Sequence, residues 1–263
     1  MHDYHMHTHF CRHASGALAD YARAALAAHV SEICFTPHIP LPGFRPGFFN
    51  NRLRMDAEEF PLFLDELDRT REAFPQLTIL CGVEADYLAG WEGYIERFLS
   101  GARFDFVLMS VHFLVSWPAD QWVFDFSRDS RGLSRVYDDY LEAVRAGILS
   151  GLFDCLAHLD LIKQPGHPLL RTHAAEVNEI LDLCRRQGMS AEINTSGTRK
   201  KIGESYPSPD IIDLMKSTGI PLVPGSDAHT PEQVGLGLDA LRGNDFVRYR
   251  DRRILPHSPL ADR

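Results

Sequence analysis

The stretch Leu77-Thr78-Ile79-Leu80-Cys81-Gly82-Val83-Glu84 is an apolar run that stops at a carboxylate. Such a run reads as an almost entirely buried strand, the kind found in parallel sheets covered by helices. An acid at its end is costly unless it meets a cation, either an arginine from elsewhere in the chain or a metal ion. Four other stretches also set a histidine or an acid where a strand should end: His5-Met6-His7, Thr36-Pro37-His38, Ser110-Val111-His112 and Ser226-Asp227-Ala228-His229. With His13 and His158 the chain offers nine candidate ligands, His5, His7, His13, His38, Glu84, His112, His158, Asp227 and His229, all nitrogen or oxygen donors. A single zinc takes about four, so the pattern points to several ions.

Outward from this run, β-rich segments alternate with amphipathic ones, which predicts a parallel sheet wrapped by helices in one domain. Strands are expected from Asp3 to His7, Ile33 to Thr36, Leu77 to Glu84, Phe104 to His112, Cys155 to His158, Ser190 to Asn194 and Leu222 to Ser226. Helices are expected from Leu18 to His29, Glu58 to Phe74, Gly93 to Leu99, Val136 to Ser150, Ala174 to Gln187, Asp210 to Thr218 and Glu232 to Leu241. Ser208-Pro209 reads as a cap and first-turn proline, and Gly188 and Gly219 as helix stops. In a β/α barrel the loops after the strands form the catalytic face, so ligands scattered along the sequence converge on one pocket.

The 263 residues, 44% of them hydrophobic, suffice for one buried core. A formal charge of -9 argues against nucleic acid or an anionic membrane as partner. No stretch of about 18 apolar residues offers a membrane span. Met1 to Phe10 carries four histidines and an aspartate where a signal peptide needs an apolar run, so no export is expected. Five cysteines with no CxxC pair fit a reducing environment, and a cytoplasmic location is expected. Nothing in the sequence specifies an oligomeric state.

In a strand, His5-Met6-His7 points both imidazoles to one side, where they can chelate one ion. Asp3 shares that side and is expected to orient a ligand or close the strand end. His2 and His9 are expected at the surface, Cys11 in packing, and His29, His173 and His257 facing solvent. The segment from Asn194 to Lys201 follows a strand and sets hydroxyls, a glycine and three cations at the barrel mouth, a cradle for an anion. Ser196 and Arg199 are its expected substrate contacts, with Lys200 and Lys201 solvated. Asp160 and Lys163 either face the pocket or pair with each other.

The ordered set His5-Met6-His7, Cys11-Arg12-His13, Thr36-Pro37-His38, Gly82-Val83-Glu84, Ser110-Val111-His112, His158-Leu159-Asp160 and Ser226-Asp227-Ala228-His229 resembles the PHP family, named for polymerase and histidinol phosphatase domains. Ser110 to Leu114 with Trp117-Pro118, and Glu192 to Gly197 with Arg199-Lys200 and Tyr206-Pro207-Ser208-Pro209, look like its histidinol-phosphatase branch. The likeness covers nearly the whole chain, and seven ordered motifs do not match by chance. Thr198, where a bulkier apolar residue is usual, and His9 depart from the branch without touching a ligand.

The resemblance implies a single-domain, TIM-barrel-like distorted (β/α)7 barrel and a trinuclear centre of divalent zinc, iron or manganese. It assigns one ion to His5, His7, Glu84 and Asp227, a second to His13, His38 and His229, and a third to Glu84, His112 and His158. It also implies histidinol-phosphatase activity in histidine biosynthesis, with L-histidinol phosphate as the small-molecule partner. Clustered ions activate water and clamp phosphoryl oxygens during in-line displacement. Arg199 is expected on the phosphate, with Lys163 as the alternative cation. Asp160 is a candidate to protonate the leaving alkoxide, and Phe113 and Trp117 are expected beside the imidazole. Three other readings fit less well. A phosphoesterase for nucleotides lacks a basic track, an amidohydrolase-like C–N hydrolase has no use for His13, His38 and Glu84, and a non-catalytic module would have lost ligands.

Overall fold

A computed structural model of the chain describes residues 1–42, 52–117, 121–124, 132–163 and 166–256. Seven strands form one sheet: β1 His2–Met6, β2 Glu32–Phe35, β3 Thr78–Asp86, β4 Phe106–Ser110, β5 Cys155–Leu156, β6 Ser190–Asn194 and β7 Leu222–Gly225. They lie side by side in chain order, each pair parallel. The sheet nearly closes on itself through a parallel bridge between Met6 and Ala228. There the His7 N–H donates to the Ala228 carbonyl at 2.9 Å and the Ala228 N–H to that of His5 at 3.3 Å. The result is the distorted seven-stranded barrel the motifs imply.

Alternate strand positions face inward. Tyr4, Cys34, Leu80, Phe106, Leu108, Cys155, Ala157 and Val223 make one buried cluster with Tyr249. A regular strand would send Tyr4 and His5 to opposite faces. The pairing register of β1 shifts between Asp3 and Met6, and this irregularity lets both residues contribute inward. Tyr249 belongs to a hairpin of β8 Tyr249–Arg250 and β9 Arg253–Ile254, which seals the end where the strands begin. Its hydroxyl lies 3.0 Å from both the Asp154 carbonyl and Ser190 Oγ, and its N–H donates to the Tyr4 hydroxyl at 2.9 Å. The other end stays open.

Outside the sheet pack α1 Leu18–Ala27, α2 Phe60–Ala73, α3 Glu92–Ser100, α4 Leu133–Leu149, α5 Leu170–Arg186 and α6 Pro209–Thr218. In α1 the buried residues are Leu18, Tyr21, Ala22 and Ala25, the stripe a helix needs to cover a sheet. The expected seventh helix is instead two short 3-10 turns, Pro231–Gln233 and Leu238–Leu241. Between them Gly235 and Gly237 take φ of 73° and 83°, left-handed values that end a right-handed helix. Gly188 and Gly219 do stop α5 and α6, at φ 73° and 68°, although the Ser208 side chain makes no capping bond.

His173 corrects another expectation. It is 2% exposed at a non-helical break inside α5, with its ring 3.2 Å from Asp138 Oδ1 and 2.7 Å from Thr172 Oγ1. Periodicity begins the helix at Ala174 and so leaves His173 outside it. His9 and His29 are exposed and His2 is half-buried, while His257 lies outside the described residues. Among the described residues no helix is long and apolar enough to cross a membrane.

Candidate metal centre

At the open end of the barrel, Glu84 is fully buried and ringed by imidazoles. Its Oε2 lies 3.4 Å from His5 Nε2, 3.4 Å from His7 Nε2 and 3.2 Å from His38 Nδ1. Its Oε1 lies 3.1 Å from His158 Nε2 and 3.7 Å from His112 Nε2. Asp227 Oδ1 stands 3.7 Å from His5 Nε2, 3.3 Å from His7 Nε2 and 3.5 Å from His229 Nδ1. His13 closes the group, its ring centred 5.3 Å from that of His7 and 4.8 Å from that of His229. The fold thus brings all nine expected ligands together. Two of them leave their strands under strain, His158 at φ 24° and Asp227 at φ 53°, values costly for residues with a Cβ and typical of functional sites.

The rings are oriented from behind. His5 Nδ1 lies 2.7 Å from Glu192 Oε1, His112 Nδ1 2.9 Å from Asp86 Oδ1, His13 Nδ1 2.7 Å from the Cys11 carbonyl and His229 Nδ1 2.9 Å from the Asp227 carbonyl. Each such bond fixes a tautomer and leaves Nε2 as the free donor. Asp86 also accepts from the His112 N–H at 2.9 Å and from Arg54 at 2.8 Å. Asp3 braces the Asp227 loop, accepting from the N–H groups of Ser226 at 2.8 Å and Gly235 at 2.9 Å. The sequence reading gives no site role to Glu192, which it quotes only within a motif, or to Asp86 and Arg54. The available signal was the two-residue period, which puts Asp86 on the face of Glu84 and Glu192 on the face of Asn194.

Buried His5 Nε2, His7 Nδ1, His38 Nδ1, His158 Nδ1 and Glu84 Oε2 have no hydrogen-bond partner. Each such atom costs about 1–3 kcal/mol, and two of them, His5 Nε2 and His38 Nδ1, face another, Glu84 Oε2, at 3.4 Å and 3.2 Å, which fits a site built for cations. The protonation states divide the ring of histidines. Burial lowers the His38 pKa well below its ordinary value, and burial with the neighbouring His229 lowers that of His7 to about 3. Burial alone would raise the Glu84 and Asp227 carboxyls, but the surrounding histidines hold both well below the usual carboxylate range. Burial alone would lower His5 and His112 too, but Glu192, Asp227 and Glu84 raise the first well above its ordinary value, and Asp86 and Glu84 raise the second. A divalent ion needs neutral imidazoles beside ionised carboxylates, so at those two rings it would take the place of a proton.

The cluster forms the floor of a cavity of about 490 Å³, whose walls include Leu53, Trp122, Phe124, Leu161, Lys200 and Tyr206. The expected substrate contacts lie elsewhere. Arg199 Nη2 donates to the Ser226 carbonyl at 2.7 Å and the Asp227 carbonyl at 3.4 Å. Ser196 Oγ donates to Asp227 Oδ2 at 3.0 Å. Lys163 Nζ is buried between Asp160 Oδ2 and Glu204 Oε1, 3.1 Å from each, and donates to the Ser205 carbonyl at 2.6 Å. Asp160 and Lys163 therefore pair with each other, and burial raises the Asp160 pKa to about 6. Phe113 and Trp117 are buried in the core, and Trp122 stacked on Phe124, with centroids 5.0 Å apart, faces the cavity instead. Lys200 is exposed, as expected, and also reaches the cavity, with Nζ 4.0 Å from Asp227 Oδ2.

A nearly closed parallel barrel with a histidine and carboxylate cluster at its open end defines the class, and the comparisons with known proteins agree. Residues 3–196 match the PHP domain, and the chain belongs to that family. Within it the chain falls in the histidinol-phosphatase branch. It is 37% identical to a probable histidinol-phosphatase of Deinococcus radiodurans over 97% of this chain and 98% of that one. It is 30% identical to a histidinol-phosphatase of Bacillus subtilis over 90% of this chain and 97% of that one. Its fold is similar to that of histidinol phosphate phosphatase from Lactococcus lactis, solved with zinc, L-histidinol and phosphate. That likeness has a TM-score of 0.78 at 20% identity over 97% of this chain and 98% of the other.

Proposed function

We propose that this protein is a metal-dependent phosphatase that hydrolyses L-histidinol phosphate to L-histidinol and inorganic phosphate. The observation that carries the reading is Glu84, a fully buried carboxylate facing five imidazoles, with Oε2 making no hydrogen bond. His5, His7, Glu84 and Asp227 would hold one divalent ion, His13, His38 and His229 a second, and Glu84, His112 and His158 a third. Bound there, such ions supply an activated water and stabilise charge on the phosphoryl group.

The chain's own side chains do the rest. Ser196 holds Asp227 through its hydroxyl, and Arg199 holds the backbone that carries it. Lys200, its Nζ 5.5 Å from the Tyr206 ring centre, meets the non-bridging phosphate oxygens as a point charge. Trp122, Phe124, Leu53 and Leu161 give the substrate's imidazole an apolar wall and exclude water from the reacting end. The names of the relatives in Deinococcus radiodurans and Bacillus subtilis, and the ligands of the Lactococcus lactis enzyme, support this substrate class.

The test is a substrate panel of L-histidinol phosphate, a dinucleotide and an N-acyl amino acid. Phosphate release from the first alone is the expected result. Preferred cleavage of the dinucleotide would replace the reading by a nucleotide phosphoesterase, and cleavage of the amide by a C–N hydrolase.

A further inference from the structure

We infer that Glu192 is a positioning residue that supports both metal sites sharing Glu84, so that its loss weakens those two together while the site of His13, His38 and His229 stays independent. The inference rests on the ligand sets proposed above.

Glu192 lies on β6 and is 1% exposed. One oxygen holds His5 Nδ1 at 2.7 Å, and the other accepts from the His158 N–H at 2.9 Å. His5 belongs to one ligand set and His158 to another, with Glu84 their common member. Glu192 is therefore a second carboxylate joining the same two sets, from behind the ligands. It aims the His5 ring, and it anchors the backbone of His158 in its left-handed conformation at φ 24°.

Its own position is tightly fixed. Asn194 Nδ2 lies 3.3 Å from both Glu192 oxygens and 3.4 Å from Asp227 Oδ2. On the neighbouring strand β7, a Cβ on Gly225 would stand 2.2 Å from Glu192 Oε1 and 2.8 Å from the His5 Cβ. Only glycine there leaves the carboxylate its place. The other supports are narrower in reach. Asp86 touches His112 alone among the ligands, and the His13 and His229 rings rest on backbone carbonyls.

A glutamine at 192 has nearly the same shape but only one acceptor end. Both His5 Nδ1–H and His158 N–H need an acceptor, so one of them must face an NH2 group. The ligand that keeps the amide oxygen trades a charged acceptor for a neutral one, which makes a weaker hydrogen bond, so both sets lose support directly.

The test is zinc titration of chelator-stripped protein, read by elemental analysis after desalting, for wild type, Glu192→Gln and Asp86→Asn. Circular dichroism and thermal unfolding of the stripped proteins check the fold. Losing such a supporting partner weakens metal binding about 10- to 100-fold. Glu192→Gln should weaken two ions by that factor and leave the other unchanged, whereas Asp86→Asn should weaken one. Gly225→Ala, which crowds Glu192 from β7, should reproduce the two-ion pattern and serves if Glu192→Gln does not fold. Weakening of one ion, of none or of all equally, or unfolding of both the Glu192→Gln and Gly225→Ala proteins, overturns the inference. A wild-type protein that binds a single ion defeats the underlying ligand sets instead, before any variant is made.

Discussion

Alanine substitutions at Lys200 and Arg199 separate the residue that meets phosphate from the residue that holds the site together. Lys200 lines the cavity, whereas Arg199 donates to the carbonyls of Ser226 and Asp227. A hydrogen bond to a charged partner contributes about 1.5–3 kcal/mol. The Lys200 side chain is 50% exposed, and solvent screening reduces its share to about 1–2 kcal/mol. At about 1.4 kcal/mol per tenfold in rate, Lys200→Ala should lower kcat/KM for L-histidinol phosphate about 5- to 30-fold, with metal content and thermal stability intact. Arg199→Ala removes a charged donor from two backbone carbonyls and should cost about 1–2 kcal/mol of stability. Its loss of kcat/KM should accompany loss of metal and be largely restored by added metal. Steady-state phosphate release, elemental analysis and thermal unfolding on both variants decide the matter. If Arg199→Ala loses kcat/KM with full metal and unchanged stability while Lys200→Ala is neutral, the assignment is wrong and the guanidinium is the phosphate ligand.

Glu84→Gln replaces the charged bridge by a neutral amide, so metal analysis should show ions lost and phosphate release should be nearly abolished even at saturating substrate. Arg54→Met breaks the buried pair with Asp86, 2% and 0% exposed and 2.8 Å apart. It should destabilise the chelated protein by about 3–5 kcal/mol, a fall of roughly 6–20 °C in Tm. The pH response has a defined sign. Burial alone would raise the Asp86 carboxyl, but His112 and then Arg54 outweigh it and hold the pKa at about 2. That contribution is fully present above the ordinary aspartate value of about 3.9 and is lost as pH falls towards 2. Acid unfolding of Arg54→Met should therefore begin at a higher pH than that of the wild type, and coincident curves would refute the pairing.

The strands and most candidate ligands were legible in the sequence because six of the seven strand runs, all but β6, carry or lead into a candidate ligand, so one pattern marks both the strand and the site. What escaped the reading depends on contacts between distant segments. Glu192 sits in a strand already recognised, and Asp86 two residues past the expected end of another, but their roles exist only once β6 lies beside β7 and β5, and β3 beside β4. Arg54 reaches Asp86 from a segment with no regular period. Trp122 and Phe124 were passed over for Phe113 and Trp117 because the path of the loop after β4, not its composition, decides which rings face the cavity. Arg199 and Lys200 are neighbours in one 3-10 turn region, and only its geometry sends the first to a backbone carbonyl and the second to the pocket. The helix expected at Glu232 failed for a local reason, the two left-handed glycines at 235 and 237.

Elemental analysis of protein purified without chelator, with phosphate release from L-histidinol phosphate measured on the same sample, tests the metal centre most directly. Nine nitrogen and oxygen ligands, one of them a bridging carboxylate, should hold about three divalent ions per chain with positions open for water, and chelation should abolish activity. Full activity in protein that holds one ion or none would contradict a catalytic centre built on Glu84.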